Sequence, residues 1–290
     1  MSNRDLPSDY QDCWTAMGLS DGAVPSNRNL SMETAKLSDT IEGEIIPRLL
    51  MVFDVTSAAG VLSAGQDQKI VSRPFCGDVE EFVGLIINHD LNVASNYLTT
   101  LIDDGARLKN IYLDLLAPAA RHLGTLWDED LCNFTQVTVG VARMHQILHM
   151  FSPCFCAHEA ADPDSELSAL IVPMPGDQHT FGHIMVVEFF RREGWNVWSG
   201  SPSTNQEVLD IVSQQSFNIV GLSIGADRHL GDLKSLLDSI RAHSANDAVN
   251  LLVGGRVFAE AGHDPRDYGA DGCASDGEAA VNLAVDLVGR

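Results

Sequence analysis

Asp177, His179 and Gly182 are the residues whose types and spacing best suit metal chemistry in this chain. A neutral imidazole binds a transition metal through one ring nitrogen. Its other nitrogen needs a fixed acceptor that settles tautomer and orientation, and the carboxylate two positions upstream is close enough to serve. Glycine three positions after the histidine removes the side chain that would hold a bulky ligand away from the backbone. Residues 177–182 follow the apolar run 169–173 and open a helical pattern over 183–192, so the histidine falls at a strand-to-helix turn. Zinc is the rival metal, because His179 and His183 are four apart and Asp177 could add a third ligand. Against it, no cysteine joins them, and His183 is expected inside the first helical turn, over the sheet.

Two further places converge on His179. Ser223 ends one strand candidate and is followed by Ile224 and Gly225; its hydroxyl should point into the same crevice. Gly254 and Gly255 end the next strand candidate, where adjacent glycines should leave an open slot beside the sheet. Together these places could surround a long ligand tail. A separate string, His145, His149, Cys154 and Cys156, imitates a zinc site, but Cys-x-Cys chelates zinc poorly compared with Cys-x2-Cys, and a helix end running into a linker accounts for it better.

The elements that must position these residues fall into two patterns. Residues 76–156 read as four helices with short links, hence an antiparallel bundle. They run from an Asp78 cap through Phe82 and Ile86, over 91–103 to a stop near Gly105, over 108–126 with a bend at Pro118, and from 133 or 135 to about Met150. Residues 167–290 alternate strands and helices, with strand candidates at 169–173, 196–199, 218–223, 250–253 and 272–274. Alternation of this kind implies βαβ units and a doubly wound parallel sheet, Rossmann-like or flavodoxin-like, whose ligands bind at the carboxyl ends of the strands. The expected fold class is therefore α + α/β. Residues 157–166 read as the interdomain linker, and residues 1–75 as a mobile leader with one possible docking helix over 40–53, interrupted by Pro47.

Charge and composition narrow the function. The formal net charge of −22, with four arginines and no lysine between residues 111 and 200, argues against a direct nucleic-acid binder. Six scattered cysteines without a CxxC pair are expected to be free thiols in a cytoplasmic protein. The chain has no apolar run approaching the ~20 residues that span a bilayer, and its polar start lacks the apolar core of a secretion signal.

Residues 167–288 resemble the cobalamin-binding domains of methionine synthase and its relatives, whose pattern is Asp-x-His-x-x-Gly, Ser-x-Leu and Gly-Gly. Here it reads Asp177, His179 and Gly182, then Ser223 and Gly225, then Gly254 and Gly255, with Gly225 standing where the family has leucine. The resemblance implies that His179 replaces the cofactor's own benzimidazole as lower axial cobalt ligand and that Asp177 orients it. Ser223, Gly254 and Gly255 would line the slot for the benzimidazole tail. The helical half resembles the cap bundle of methionine synthase relatives and of light-sensing cobalamin repressors, in which a tryptophan covers the upper axial group and a Glu-His pair follows it. Trp127 matches that tryptophan, whereas Val137 and Thr138 occupy the places of the pair. His145, two turns beyond Thr138 on one helix face, could take the missing histidine's part as upper axial ligand, or could be an ordinary surface or interface histidine.

Gly124, Trp127 and Asp130, followed by Phe134, Thr135, Val137 and Thr138, make the chain most similar to the AerR/PpaA family of photosynthetic bacteria. That resemblance implies a non-enzymatic antirepressor that binds a PpsR/CrtJ-type repressor of photosystem genes and responds to light and oxygen. Two alternatives stay open. A corrinoid methyl carrier of a methyltransferase system would use the same lower-face motif, and a haem-binding redox sensor could use His145 or His179.

Overall fold

The computed structural model describes residues 77–156, 167–260 and 262–289. The expected leader (1–75) and linker (157–166) lie outside the described residues. Helix α1 (Val79–Asn88) starts where the Asp78 carboxylate accepts the Glu81 N–H at 2.9 Å, and it buries Phe82, Val83 and Ile86. Helix α2 (Leu91–Asp103) buries Ala94, Leu98 and Leu101 and ends before Gly105, whose φ of 95° is costly for any residue with a side chain.

The third helix, α3, covers residues 108–128 in three parts: Leu108–Asn110, a π-helical segment Ile111–Leu116, and Ala117–Asp128. Pro118 was expected to bend this helix. It has no N–H to give the carbonyl four residues back, and its ring crowds that carbonyl. The chain widens into π geometry just before the proline, with Ala117 donating to the Tyr112 carbonyl.

Helix α4 (Phe134–Cys156) opens on a reciprocal cap in which Asn133 and Gln136 exchange backbone-to-side-chain bonds of 3.0 Å. It runs six residues past the expected end at Met150 and through Pro153. Tertiary burial overrides the proline here, because Phe151 and Phe155 in the added turns are core residues.

Five parallel strands follow in the order β2-β1-β3-β4-β5: β1 (Ser168–Pro173), β2 (Asn196–Ser199), β3 (Ile219–Ser223), β4 (Asn250–Gly254) and β5 (Gly272–Ala274). They alternate with α5 (Phe181–Arg192), α6 (Asn205–Gln214), α7 (Leu230–His243), α8 (Arg256–Glu260) and α9 (Gly277–Val288). This is the flavodoxin-like order, whose switch point lies between β1 and β3. Pro173 pairs with Ser223, and Ser223 with Gly254, so the three loops expected to form the site leave the sheet side by side.

Strand residues alternate between two cores. Ala169, Ile171, Ile219 and Leu252 face the layer of α5 and α9, while Leu170, Val172, Val220, Leu222 and Val253 face that of α6 and α7. The first of these cores continues into the helical bundle without a break. Tyr112 of α3 stacks on Phe155 of α4 at 4.1 Å and 4°, and Phe189 of α5 meets Phe155 edge-on at 5.0 Å. Lys109 of α3 also pairs with Glu278 of α9 at 2.7 Å. Among the described residues no helix is long and apolar enough to cross a membrane.

Candidate cofactor centre

The loop after β1 is built to fix a carboxylate. Met174 N–H extends the β1–β3 ladder to the Ser223 carbonyl at 2.8 Å, and Asp177 N–H closes a turn on the Met174 carbonyl at 2.8 Å. Gly176 makes that turn possible with a φ of 77°. The Asp177 side chain is fully buried and receives three donors. His179 N–H reaches Oδ1 at 3.1 Å, His179 Nδ1 reaches the same oxygen at 2.7 Å, and Gly225 N–H reaches Oδ2 at 2.6 Å. Burial alone would raise the carboxyl pKa. The bonds from the His179 ring, the His179 N–H and the Gly225 N–H outweigh it and hold Asp177 below the usual carboxylate value. An ionised Asp177 accepts a proton-bearing Nδ1, so the lone pair of His179 sits on Nε2.

The His179 side chain is 61% exposed, which puts the ring outside the packed core although its anchor lies inside it. Its inner side rests on Gly225: a Cβ built there would lie 2.5 Å from His179 Cβ, 2.6 Å from Cγ and 2.7 Å from Nδ1. Gly182, in the first turn of α5, has nothing within 4 Å of its Cβ position, so the backbone is open to a bulky neighbour. Ser223 is half-buried at the end of β3. The glycine pair is filled differently from expectation. A Cβ on Gly254 would meet the Ala274 carbonyl oxygen at 2.9 Å, and one on Gly255, at φ 99°, would meet Ile224 backbone oxygen at 2.4 Å. These glycines let the ends of β4, β5 and the loop after β3 close on one another, and the space at their own Cβ positions is taken by backbone.

The helical residues divide. Trp127 is 45% exposed on α3 and meets Phe134 edge-on at 6.4 Å; Phe134, which opens α4, and Leu131, in the turn between α3 and α4, are exposed as well. His145 instead lies at the contact between bundle and sheet, its ring 5.4 Å from that of Phe181, with Nε2 buried and unpartnered. Burial lowers its pKa, partly offset by the Val141 carbonyl. Cys156 is half-buried beside Glu188, and burial followed by that carboxylate pushes its thiol up to about 11, whereas His149 and Cys154 are exposed. Among the described residues no three His, Cys, Asp or Glu side chains form a group able to hold a metal ion.

Sequence reasoning anticipated the burial of His183 but not its state. The residue is 3% exposed and Nδ1 has no partner. Burial takes its pKa down to about 4, with His145 adding to the effect and the Thr180 carbonyl opposing it. Sequence reasoning also missed Phe181 as the seat of His145 and Gly225 as the seat of His179. A signal for His183 existed, since it shares the i, i+4, i+7 stripe of Val187 and Phe190; backbone contact at Gly225 leaves no such trace.

Residues 167–285 match the family model of the B12 binding domain. A protein of Rhodobacter capsulatus, described as an uncharacterized 20.5 kDa protein in the bchF-crtJ intergenic region, is 25% identical over 158 residues, covering 54% of this chain and 81% of its own length. The structure of the monomethylamine corrinoid protein of Methanosarcina barkeri superposes with a TM-score of 0.60 at 16% identity, covering 71% of this chain and 96% of that one. The methanol:cobalamin methyltransferase complex MtaBC of the same organism matches at a TM-score of 0.38 and 16% identity, over 72% of this chain and 78% of that one. The family match makes cobalamin the cofactor of the sheet domain, and the superposition shows the same fold. The site fits such a group: an outward Nε2, a buried carboxylate fixing the ring behind it, and open backbone at Gly182.

Proposed function

We propose that this protein is a cobalamin-binding, light- or redox-responsive regulator that relieves a PpsR/CrtJ-type repressor of photosystem genes and has no catalytic activity of its own. The observation that carries the cofactor half is the buried Asp177 holding the exposed His179 by Nδ1 at 2.7 Å. A ring held this way has its Nε2 lone pair directed outward before any metal arrives, so little orientational freedom is lost on ligation. In this reading His179 would hold the cobalt, and Ser223 with the Gly254–Gly255 turn would border the cofactor's nucleotide tail. The regulatory half is supported by the relative named for its place between bchF and crtJ, and by the net charge of −22, which favours a protein partner over DNA.

A bound corrinoid would supply a cobalt able to exchange a ligand in response to light or to redox state. This chain's residues do the rest. Trp127, Leu131 and Phe134 would offer apolar cover for a group bound above them, and His145, which meets Phe181 at the joint between bundle and sheet, would serve as a second ligand once its buried Nε2 became accessible. A ligand-dependent change at that joint would bias two arrangements of the bundle, and differential binding of a few kcal/mol is enough to shift repressor affinity.

The test is repressor affinity of the holoprotein in darkness and after green light; equal affinities end the light-switch reading. A corrinoid methyl carrier is the second reading, favoured by a superposition that covers 71% of this chain and 96% of the monomethylamine corrinoid protein. It would show as methyl transfer from the methylated holoprotein to an acceptor in the presence of a partner methyltransferase. An absorption spectrum separates both from a haem protein.

A further inference from the structure

Gly225 occupies a place that no general feature of the fold requires to be glycine. Its φ lies outside the left-handed region, so its backbone conformation does not demand glycine. The three heavy atoms nearest to a Cβ at this position all belong to His179, at 2.5, 2.6 and 2.7 Å, and all lie below the 3.0 Å that real Cβ contacts respect. The imidazole thus fills the volume that a side chain at 225 would take. On the other side, Gly225 N–H bonds Asp177 Oδ2 at 2.6 Å, while Asp177 Oδ1 holds His179 Nδ1 at 2.7 Å. One residue therefore touches the ring directly and fixes the carboxylate that orients it.

We infer that Gly225 is a positioning residue for His179. Its missing side chain forms the seat of the imidazole, and its N–H locks the carboxylate that sets which nitrogen faces outward. The inference rests on the reading of His179 as the lower axial ligand. The family that the motif resembles carries leucine at this place, so the seat belongs to this chain: here the ring has taken that room, and a methyl group at 225 overlaps it where it stands and should lift it away from Asp177, with the strand framework unchanged. Gly221, one strand position before Leu222, is a useful contrast. Its Cβ would meet Ile171 Cδ1 at 2.8 Å, the far end of a flexible side chain, so a substitution there disturbs packing and not the ring.

Two measurements test it. In the cofactor-free protein, Gly225→Ala should lower the thermal midpoint by roughly 5 °C, from an overpacking cost spread over a chain of this size. In a His179→Gly background, where neither ring nor Cβ is present, the same substitution should leave the midpoint unchanged. Equal shifts in both backgrounds overturn the seat. In the holoprotein, the cobalt(II) form of protein carrying 15N-histidine should show a two-line axial-nitrogen splitting by electron paramagnetic resonance, because a 15N donor has spin one-half. Gly225→Ala should lose that labelled splitting, and Gly221→Ala should keep it. If Gly225→Ala keeps it as the wild type does, the positioning role is wrong while the ligand assignment stands. If the wild type itself shows only the unlabelled three-line pattern, the ligand assignment falls and the positioning role with it.

Discussion

Acid should loosen this protein through His183, starting as pH falls below about 6.5. The residue is 3% exposed on α5, with Nδ1 buried and unpartnered, and burial takes its pKa from 6.5 to about 4. In the folded chain it is therefore neutral where an unfolded chain already binds a proton. The unfolded state binds more protons between these two values, so stability falls as pH drops from 6.5 towards about 4 and levels off below. With ~1.4 kcal/mol for each tenfold change in proton affinity, the full effect is about 3 kcal/mol, of which about 2 kcal/mol is lost by about pH 5. Asp177 adds a loss of the same sign in a different window: its depressed pKa makes its contribution vanish only as pH falls below 3.8. His145, also lowered by burial, acts in the same direction as His183 and stays in place when His183 is replaced. The assay is urea unfolding of cofactor-free wild type and His183→Leu at about pH 7.5 and about pH 5. Leucine fills much of the ring's volume and removes both the proton site and the unpartnered nitrogen. The wild type should lose about 2 kcal/mol more than the variant between the two pH values. Equal losses would refute the claim that His183 is kept neutral by the fold.

Other outcomes follow from the same geometry. Asp177→Asn keeps an acceptor for Gly225 N–H but removes the charge behind the imidazole, so cobalamin affinity should drop ~10–100-fold in a spectrophotometric titration; unchanged affinity would remove Asp177 from the site. Trp127→Ala, at a side chain 45% exposed, should change the stability of the cofactor-free protein by under ~0.5 kcal/mol yet alter the preference between methyl- and adenosylcobalamin; identical preferences would detach Trp127 from the upper face. A double-mutant cycle on Lys109 and Glu278, both partly exposed, should give a coupling below ~1 kcal/mol that fades in high salt; a salt-insensitive coupling would contradict a solvent-screened pair.

The sheet domain was legible because its determinants are local. Apolar runs bounded by turn residues set β1 to β5 to within a residue or so, and the spacing of Asp177 and His179 reported a bond that the loop then made at 2.7 Å. What was not legible depends on partners distant in sequence. The extension of α4 through Pro153 is decided by Phe155 meeting Tyr112 and Phe189, which no window around the proline contains. The π segment before Pro118 is a compromise between a residue that cannot donate and a core that needs Ile111, Tyr112, Leu115 and Leu116 inside. Gly254 and Gly255 looked like room for a ligand, because a sequence shows that a side chain is missing but not what fills its place. Backbone from Ile224 and Ala274 does so here.

The stacked rings of Tyr112 and Phe155, locked edge-on by Phe189, have a mechanical consequence. Severing the peptide somewhere in residues 157–166 would not set the two halves free, since the aromatic clasp and the apolar layer around it would go on holding them as one particle. Any signal crossing from the helices to the sheet must then travel as a tilt or slide about that clasp.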